Sequence, residues 1–438
     1  MCYNDKRKTI IKQNNVMEGV NMLLSYKFKN FKSYRNDVEF SMIAPASKVK
    51  SRFEDNYVST TLGYDINKTC VIVGENAGGK TNFVNSFIYL QNLLSSNEWV
   101  RAYMSTVNSG AYNEAKDSRN LEDNRLRQLF EMEVLIDDRV YLYYLVIDPL
   151  GVVCEKLDVK KNKTSKYKPI FNFERKKVIP THREDGEGKK RSLVVDVSFV
   201  GEDKYNKDVI EKITREASAG LFINKLAILA VEEAYTFVNW IKNYLTPISP
   251  RINLDFLKAI DVEEEDKEII EDPRFIKILR MIDYSISGIE INDENPYQKT
   301  VLVRKRKDGT VFKREIGDDS TGIGEYFAWA IQIFKVVYKN KCLIADEVDR
   351  VLNPVLSDRI VSFINGNKHT GQFIFTTHNV LHLDLKNYMK EQIYFATKDK
   401  ETLESELYSL ADFPEVRYEV TKIYEFYMKG ILGGVANE

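Results

Sequence analysis

Alternation of apolar and polar positions begins at Met22, where LLSYKFKNFKSYRNDVEFSMI predicts two strands on either side of a polar turn near Arg35 to Asp37. Residues 1–21 have no comparable pattern and are expected to form a flexible N-terminal arm. Thr69 to Val73 is a short β-branched apolar run that enters a glycine-rich turn, and residues 81–94 then take a helical period. Residues 130–147 alternate around Asp137-Asp138-Arg139, the composition of a hairpin. From 207 to 257 the period is helical again, which predicts a separate helical lobe or lid. A second hairpin is expected over 301–316, turning at Asp308-Gly309, and a helix follows in EYFAWAIQIFKVVY. CLIA at 342–345 and FIFTT at 373–377 are apolar strands that end in polar residues, the end of an α/β sheet where ligands bind. No fixed-period repeat or long heptad run interrupts this order.

The pattern predicts an α/β fold: a mixed sheet with helices, an antiparallel β subdomain and an inserted helical lobe. With 438 residues, 43% hydrophobic and 12% aromatic, the chain is long enough for two or three packing units and too apolar for wholesale disorder. Charge is balanced, 64 Lys and Arg against 65 Asp and Glu, which excludes a uniformly basic nucleic-acid coat. The balance conceals segregation. Residues 158–192 hold twelve bases and five acids and are expected to be an exposed excursion, while residues 261–272 hold eight acids and one lysine. Cys2, Cys70, Cys154 and Cys342 are scattered, and the four histidines form no zinc pattern, although His378 and His382 are spaced for one helix face. No apolar run approaches a bilayer span and the start is polar, so no membrane partner is expected and a cytoplasmic protein is the default reading.

Gly74-Glu75-Asn76-Ala77-Gly78-Gly79-Lys80-Thr81 fits G-x-x-x-x-G-K-[ST], and Asn82 follows it. Glycines there let backbone N–H groups curl around phosphates at a helix N-terminus, where the helix dipole also favours negative charge. Lys80 is placed to reach the β and γ phosphates, and Thr81 to bind Mg2+. Asp346 and Glu347 end the CLIA strand: the first can hold Mg2+ and the second can take a proton from an attacking water. His378 ends the next strand, where an imidazole can meet the γ-phosphate. Asp196, Glu202 and Lys204 have the residue types of a metal-nuclease site, but an ordinary loop is the better reading.

Together, NFKSY at 30–34, GENAGGKTN, Asp346-Glu347 and their order resemble the ATP-binding-cassette ATPases, and within them the soluble SMC- and RecF-like branch. The resemblance implies an ABC-type P-loop ATPase head, with its N-terminal half over 22–157, an inserted basic segment and helical lobe over 158–300, and its C-terminal half over 301–438. It makes Asp319 to Ile323 the signature motif, with Ser320 and Gly322 closing over the ATP of a second subunit. Asp349 then belongs to the loop that crosses the dimer, His378 is the switch histidine, and Gln128 is the candidate Mg2+-sensing glutamine. Thr321 departs from the glycine of transporters, and Asn353 from a frequent histidine. KLAIL at 225–229, FVNWIKNYLTPISP at 237–250, STGIGE at 320–325, ELYSLADF at 406–413, Arg417 and YMKGILGGV are similar to standalone AAA-family ATPases of bacterial defence loci. Those include the ATPases of AbiL-type abortive infection and the AriA component of PARIS systems, with the ATPase half of the overcoming-lysogenisation-defect nucleases more distant.

That resemblance implies an ATP- and Mg2+-dependent switch, paired with itself in an ATP-sandwiched dimer and controlling a separate effector nuclease or toxin in an anti-phage system. Two alternatives stay open. One is a RecF-like DNA-repair ATPase, for which the basic hairpin residues Arg304, Lys305, Arg306, Lys307, Lys313 and Arg314 offer phosphate contacts. The other is a nucleotide-bound scaffold that does not hydrolyse.

Overall fold

The computed structural model of the chain describes residues 16–17, 19–95, 105–116, 123–182, 189–216, 220–249, 264–295, 298–418 and 422–433. In chain order the strands are β1 (Val16–Met17), β2 (Val20–Lys29), β3 (Val38–Ser41), β4 (Tyr57–Thr60), β5 (Asp65–Asn67), β6 (Thr69–Gly74), β7 (Gln128–Asp137), β8 (Arg139–Asp148), β9 (Gly151–Lys160), β10 (Lys168–His182) and β11 (Lys189–Phe199). The second half adds β12 (Leu245–Ile248), β13 (Ile286–Glu290), β14 (Val301–Lys305), β15 (Val311–Glu315), β16 (Cys342–Ala345), β17 (Gln372–Thr377), β18 (Ile393–Lys398) and β19 (Ser405–Ser409). The helices are α1 (Lys80–Ser95), α2 (Ser109–Lys116), α3 (Lys207–Glu216), α4 (Phe222–Ile228), α5 (Glu232–Asn243), α6 (Glu264–Glu271), α7 (Phe275–Leu279), α8 (Thr321–Lys339), α9 (Pro354–Gly366) and α10 (Ile423–Met428).

A six-stranded sheet of order β12-β16-β17-β6-β18-β19 is parallel except for its last pair. Successive side chains on its strands point to opposite faces, so each strand serves two cores. Cys70, Ile72, Ile344 and Ile374 join one core, and Val71, Val73, Leu343, Phe373 and Phe375 join the other. The first core continues through α1 into an antiparallel sheet of order β11-β10-β9-β8-β7-β2-β3. The second is closed by α8, α9 and the short helices α6 and α7. Both faces of the parallel sheet are thus covered, as a continuous apolar run such as TCVIVG requires.

The α/β class and the two hairpins stand as expected, and four local readings change. The strand expected from Met22, β2, starts two residues earlier at Val20, and within the expected arm Val16–Met17 pairs in parallel with β4, residues 1–15 lying outside the described set. The basic segment is no loose excursion: within it β10 and β11 form a long antiparallel hairpin that extends the large sheet, residues 183–188 lying outside the described set. Its alternation breaks where Lys176 and Lys177, both exposed, fall together at the register shift after Arg175. The helices over 207–243 do not form a separate lobe either, because Phe222, Ile223, Leu226, Phe237 and Trp240 belong to the same core as the antiparallel sheet. Beyond them Leu245–Ile248 is a strand, the edge partner of β16, where the sequence period had suggested helix. In the acidic stretch, 264–271 forms α6 and residues 261–263 lie outside the described set.

A buried carboxylate ties these helices to the sheet. Glu155 on β9 is fully buried and accepts the backbone N–H groups of Phe222 at 2.6 Å and Ile223 at 3.1 Å, the otherwise unpaired donors at the start of α4, together with the Tyr143 hydroxyl at 2.9 Å. Burial pushes its pKa up from 4.5 to about 7, against the opposing pull of those three donors. An acid whose folded-state pKa is raised holds its proton more tightly in the folded chain, so its contribution to stability declines as pH rises from about 4.5 to 7. The span corresponds to an effect on the order of 3 kcal/mol. Glu155→Gln is therefore expected to flatten that part of the stability profile: its melting temperature relative to the unsubstituted protein should be higher at pH 7.5 than at pH 5, as read by thermal denaturation at each pH.

Candidate functional site

The glycine-rich turn sits between β6 and α1, at the carboxyl edge of the parallel sheet. Its glycines are demanded by neighbours on both sides. A Cβ on Gly74 would lie 2.0 Å from the Ala396 carbonyl oxygen of β18, and one on Gly79, at φ +112°, would lie 2.6 Å from Ser405 Oγ and 2.8 Å from Tyr34 Oη. Tyr34 and Ser405 also explain the NFKSY string. Ser33 Oγ accepts from Asn82 Nδ2 at 2.7 Å and from Ser405 Oγ at 2.8 Å, so the turn after β2 clamps the first turn of α1 to β19. Asn76 is exposed at the tip, and Gly78 is buried against β18. Lys80 is buried, its ammonium donating to the Gly74 and Glu75 carbonyls at 2.8 Å each. Burial lowers its pKa to about 8, with the nearby Asp346, Glu347, Asp349 and Glu75 carboxylates opposing the shift.

Two strands away, β16 delivers Asp346 and Glu347. Thr376 at the end of β17 holds both: its hydroxyl donates to Asp346 Oδ1 at 2.6 Å and accepts from the Glu347 backbone N–H at 2.8 Å. Asp346 is fully buried, and burial raises its pKa, with the Thr376 and Thr81 hydroxyls favouring the ionised form. Its Oδ2 is buried without a hydrogen bond of good geometry, although the Thr81 hydroxyl lies near enough to act on the carboxylate. A buried carboxylate oxygen left in this way costs upward of about 1–3 kcal/mol, and a cation shared with Thr81 relieves it. The donor set therefore fits Mg2+. Among the described residues no cluster of three or more His, Cys, Asp or Glu could hold a metal, so the remaining ligands of such an ion would be phosphate oxygens and water.

Glu347 takes a left-handed backbone, φ 47° and ψ 54°, which turns the chain sharply at the strand end. Its side chain lines a cavity of about 430 Å³ together with Lys32, Thr81, Asn82, Ser249 and Arg350. Asp349 is spent within the chain, accepting from the Thr377 hydroxyl and the His378 backbone N–H. It thereby fixes the loop that presents His378, an exposed imidazole whose pKa is lowered by partial desolvation and by the Lys80 cation. His382 does not share a helix face with it: that ring is buried between Ser357 Oγ and Tyr388 Oη, 3.0 Å from each.

Ser320 and Gly322 lie elsewhere. Ser320 caps α8, accepting from the Ile323 N–H at 3.4 Å, and a Cβ on Gly322 would meet nothing within 4 Å. Both are exposed, and among the described residues no hydrogen bond or ion pair joins them to residues 74–82. Gln128 is fully buried, its amide donating to the Asn30 carbonyl at 3.0 Å and meeting Thr106, and among the described residues no hydrogen bond joins it to Thr81 or Asp346. Asp196 is exposed on β11 near Lys176, and Glu202 to Lys204 form a turn beyond the strand, so no nuclease-like cluster assembles there. Asn353 has a local purpose, capping α9 through the Leu356 N–H at 3.0 Å.

The sequence from residue 70 to 384, which spans the phosphate loop, the carboxylate pair and the histidine loop, matches the family described as AAA domain, putative AbiEii toxin, Type IV TA system. The chain belongs to this family. Its AAA domain thus contains the whole of the parallel sheet except its last two strands. Among solved structures, the chain is similar to the SmcHead bound to the C-winged helix domain of ScpA, at 13% identity and TM-score 0.41 over 88% of this chain and 97% of that one. It is also similar to the SMC head domain from Thermotoga maritima, at 13% identity and TM-score 0.35 over 88% and 98%. A third similar structure is the Smc head domain with an extended coiled coil bound to the C-terminal domain of ScpA derived from Pyrococcus furiosus, at 14% identity and TM-score 0.38 over 94% and 99%. A comparison with curated proteins gave no match. Among the described residues of this AAA-domain chain no helix is long and apolar enough to cross a membrane.

Sequence reasoning passed over Thr376, which orders both carboxylates, and Arg350, which faces the cavity. The signal for the first was present, since two threonines precede His378 at a strand end. Asp346→Asn removes the uncompensated charge while keeping the shape. It is expected to raise the melting temperature of the nucleotide-free protein by roughly 2 °C or more. The same change should abolish the further rise that Mg2+ with ATP produces, both effects being read by differential scanning fluorimetry.

Proposed function

We propose that the chain is an ATP-driven switch that works as a pair of copies. The phosphate loop of one copy binds ATP through backbone N–H groups and Lys80, and Ser320 and Gly322 of the other copy close on the γ-phosphate. The observation that supports this reading is that Ser320 and Gly322 are exposed, and among the described residues no hydrogen bond or ion pair joins them to their own phosphate loop. A second copy brings them together. Mg2+ held by Thr81 and Asp346 supplies charge neutralisation for the β and γ phosphates. Glu347 accepts the proton of the attacking water, and His378, whose lowered pKa favours the neutral ring, hydrogen-bonds the γ-phosphate region. Hydrolysis removes contacts made only with the γ-phosphate, so the closed pair loosens and the nucleotide sets the conformation.

The biological reading is an anti-phage, abortive-infection role in which this switch restrains or releases a separate effector, a nuclease or toxin. The family description, with its toxin and type IV toxin–antitoxin terms, supports that reading, as do the defence-type sequence strings. Glu347→Gln should slow hydrolysis by about 100-fold or more while leaving a stable ATP-bound pair. Steady-state phosphate release and light scattering after size exclusion are the measurements. Hydrolysis at the unsubstituted rate would remove Glu347 from its role. In cells that carry the chain with its neighbouring genes, Lys80→Ala should abolish any reduction in phage plating.

A DNA-directed reading is favoured by one observation: Lys305, Arg306 and Lys307 are all exposed at the turn between β14 and β15. On that reading duplex DNA stimulates hydrolysis with a steep dependence on salt, and replacing the three with Glu removes the stimulation. Rates indifferent to DNA across 50 to about 200 mM salt would set it aside.

A further inference from the structure

The turn after β16 places a cation where neither the fold nor the motifs require one. Val348 to Arg350 form a single 3-10 turn, with the Arg350 N–H donating to the Glu347 carbonyl at 3.1 Å. Together with the left-handed backbone of Glu347, this aims two side chains into the cavity of about 430 Å³ that Thr81 also lines. Arg350 Nη1 stands 3.8 Å from Glu347 Oε2, with the two side chains 50% and 31% exposed. A contact that long and that open to water contributes only a few tenths of a kcal/mol up to about 1. It is a pair that exchanges easily. A phosphate oxygen carries more charge than a carboxylate oxygen and matches the planar guanidinium in two-point contact, so a terminal phosphate reaching this cavity outcompetes Glu347 for Arg350.

We propose that Arg350 is a γ-phosphate reader that exchanges partners when ATP arrives. In the nucleotide-free chain its guanidinium pairs with the Glu347 carboxylate. With ATP on the phosphate loop it moves to a γ-phosphate oxygen, and Glu347 is left free to accept a proton. The attacking water then forms its bond to the γ phosphorus, the bond from that phosphorus to the β–γ bridging oxygen breaks, and the electron pair departs on the β phosphate of ADP. The proton of the water passes to Glu347, and Arg350 meets the charge gathering on the transferred group. ADP has no group that reaches Arg350, so the exchange distinguishes the two nucleotides within one copy of the chain, before any pairing.

The inference rests on the ATPase reading, and the measurement separates the two. Affinities for ATP and for ADP in the presence of Mg2+, together with kcat and KM for hydrolysis, are compared among the unsubstituted full chain, Arg350→Ala, Arg350→Lys and Lys80→Ala. Arg350 is half exposed, so its variants should keep the unsubstituted melting temperature. Arg350→Ala is expected to weaken ATP by about tenfold, to leave ADP within about twofold, and to lower kcat by roughly 100-fold, with Arg350→Lys recovering part of each loss. Affinities for ATP and ADP that fall together, or both stay unchanged, would overturn the exchange, because a merely structural residue does not select between them. The affinity readout stands even where turnover is slow. An unsubstituted chain that binds ATP no better than Lys80→Ala overturns the ATPase reading itself, and the exchange with it.

Discussion

The parallel register between β16 and β17 is the constraint on which the site depends. Ala345 lies opposite Phe375, so the residues just beyond, Asp346 and Thr376, meet at the strand ends, and one hydroxyl bridges a buried carboxylate and the backbone N–H of its neighbour. Because Thr376 both donates and accepts, it orients Asp346 toward Thr81 while holding the Glu347 peptide in a left-handed turn beside the cavity that Thr81 also lines. Two adjacent acids thereby receive different surroundings: one fully buried, the other partly open to a cavity. Slipping that register by one residue would reverse which face each strand end presents and dissolve the difference.

Around this pair the chain concentrates groups whose charge is costly to bury. Among the described residues the Lys80 ammonium donates to carbonyl oxygens of its own loop, and Asp346 keeps one oxygen without a good partner. Both conditions favour a ligand that brings negative charge to the lysine and a cation to the aspartate, which is the description of a metal-bound phosphate. The rest of the fold contributes stiffness. β18 and β19 press on Gly74 and Gly79, and the turn after β2 presses from the other side, so the loop cannot widen without moving two sheets. Glu155 adds stiffness of the same kind, anchoring the start of α4 to the antiparallel sheet.

Much of this was legible from residue order. The phosphate loop, the two carboxylates and the histidine are contiguous strings in which local geometry and chemistry coincide, so reading them needed no knowledge of what lies across the sheet. The two hairpins at Asp137-Asp138 and Asp308-Gly309 were legible for the same reason, since turn chemistry is local. The partner of Gln128 was not legible, because a glutamine amide serves a metal or a backbone carbonyl equally well, and only the fold shows it donating to Asn30. β10 and β11 were obscured because Lys176 and Lys177 fall together at the register shift after Arg175, which interrupts the alternation that Phe171 and Phe173 begin. Leu245–Ile248 was taken for helix because four residues are too few to establish a period.

The amino-acid sequence by itself determined the α/β class, the identity of the phosphate loop and the chemistry available at the strand ends, because each follows from short-range spacing. Tertiary structure alone decided which of those groups face one another. It placed Ser320 and Gly322 on an open surface, joined the helices over 207–243 to the antiparallel core, and brought Arg350 and Thr81 to one cavity. The physical reason is that these relations depend on strand register and on the burial of both sheet faces, which are properties of contacts between residues distant along the chain, from 30 positions for β16 and β17 to 304 for β17 and β6.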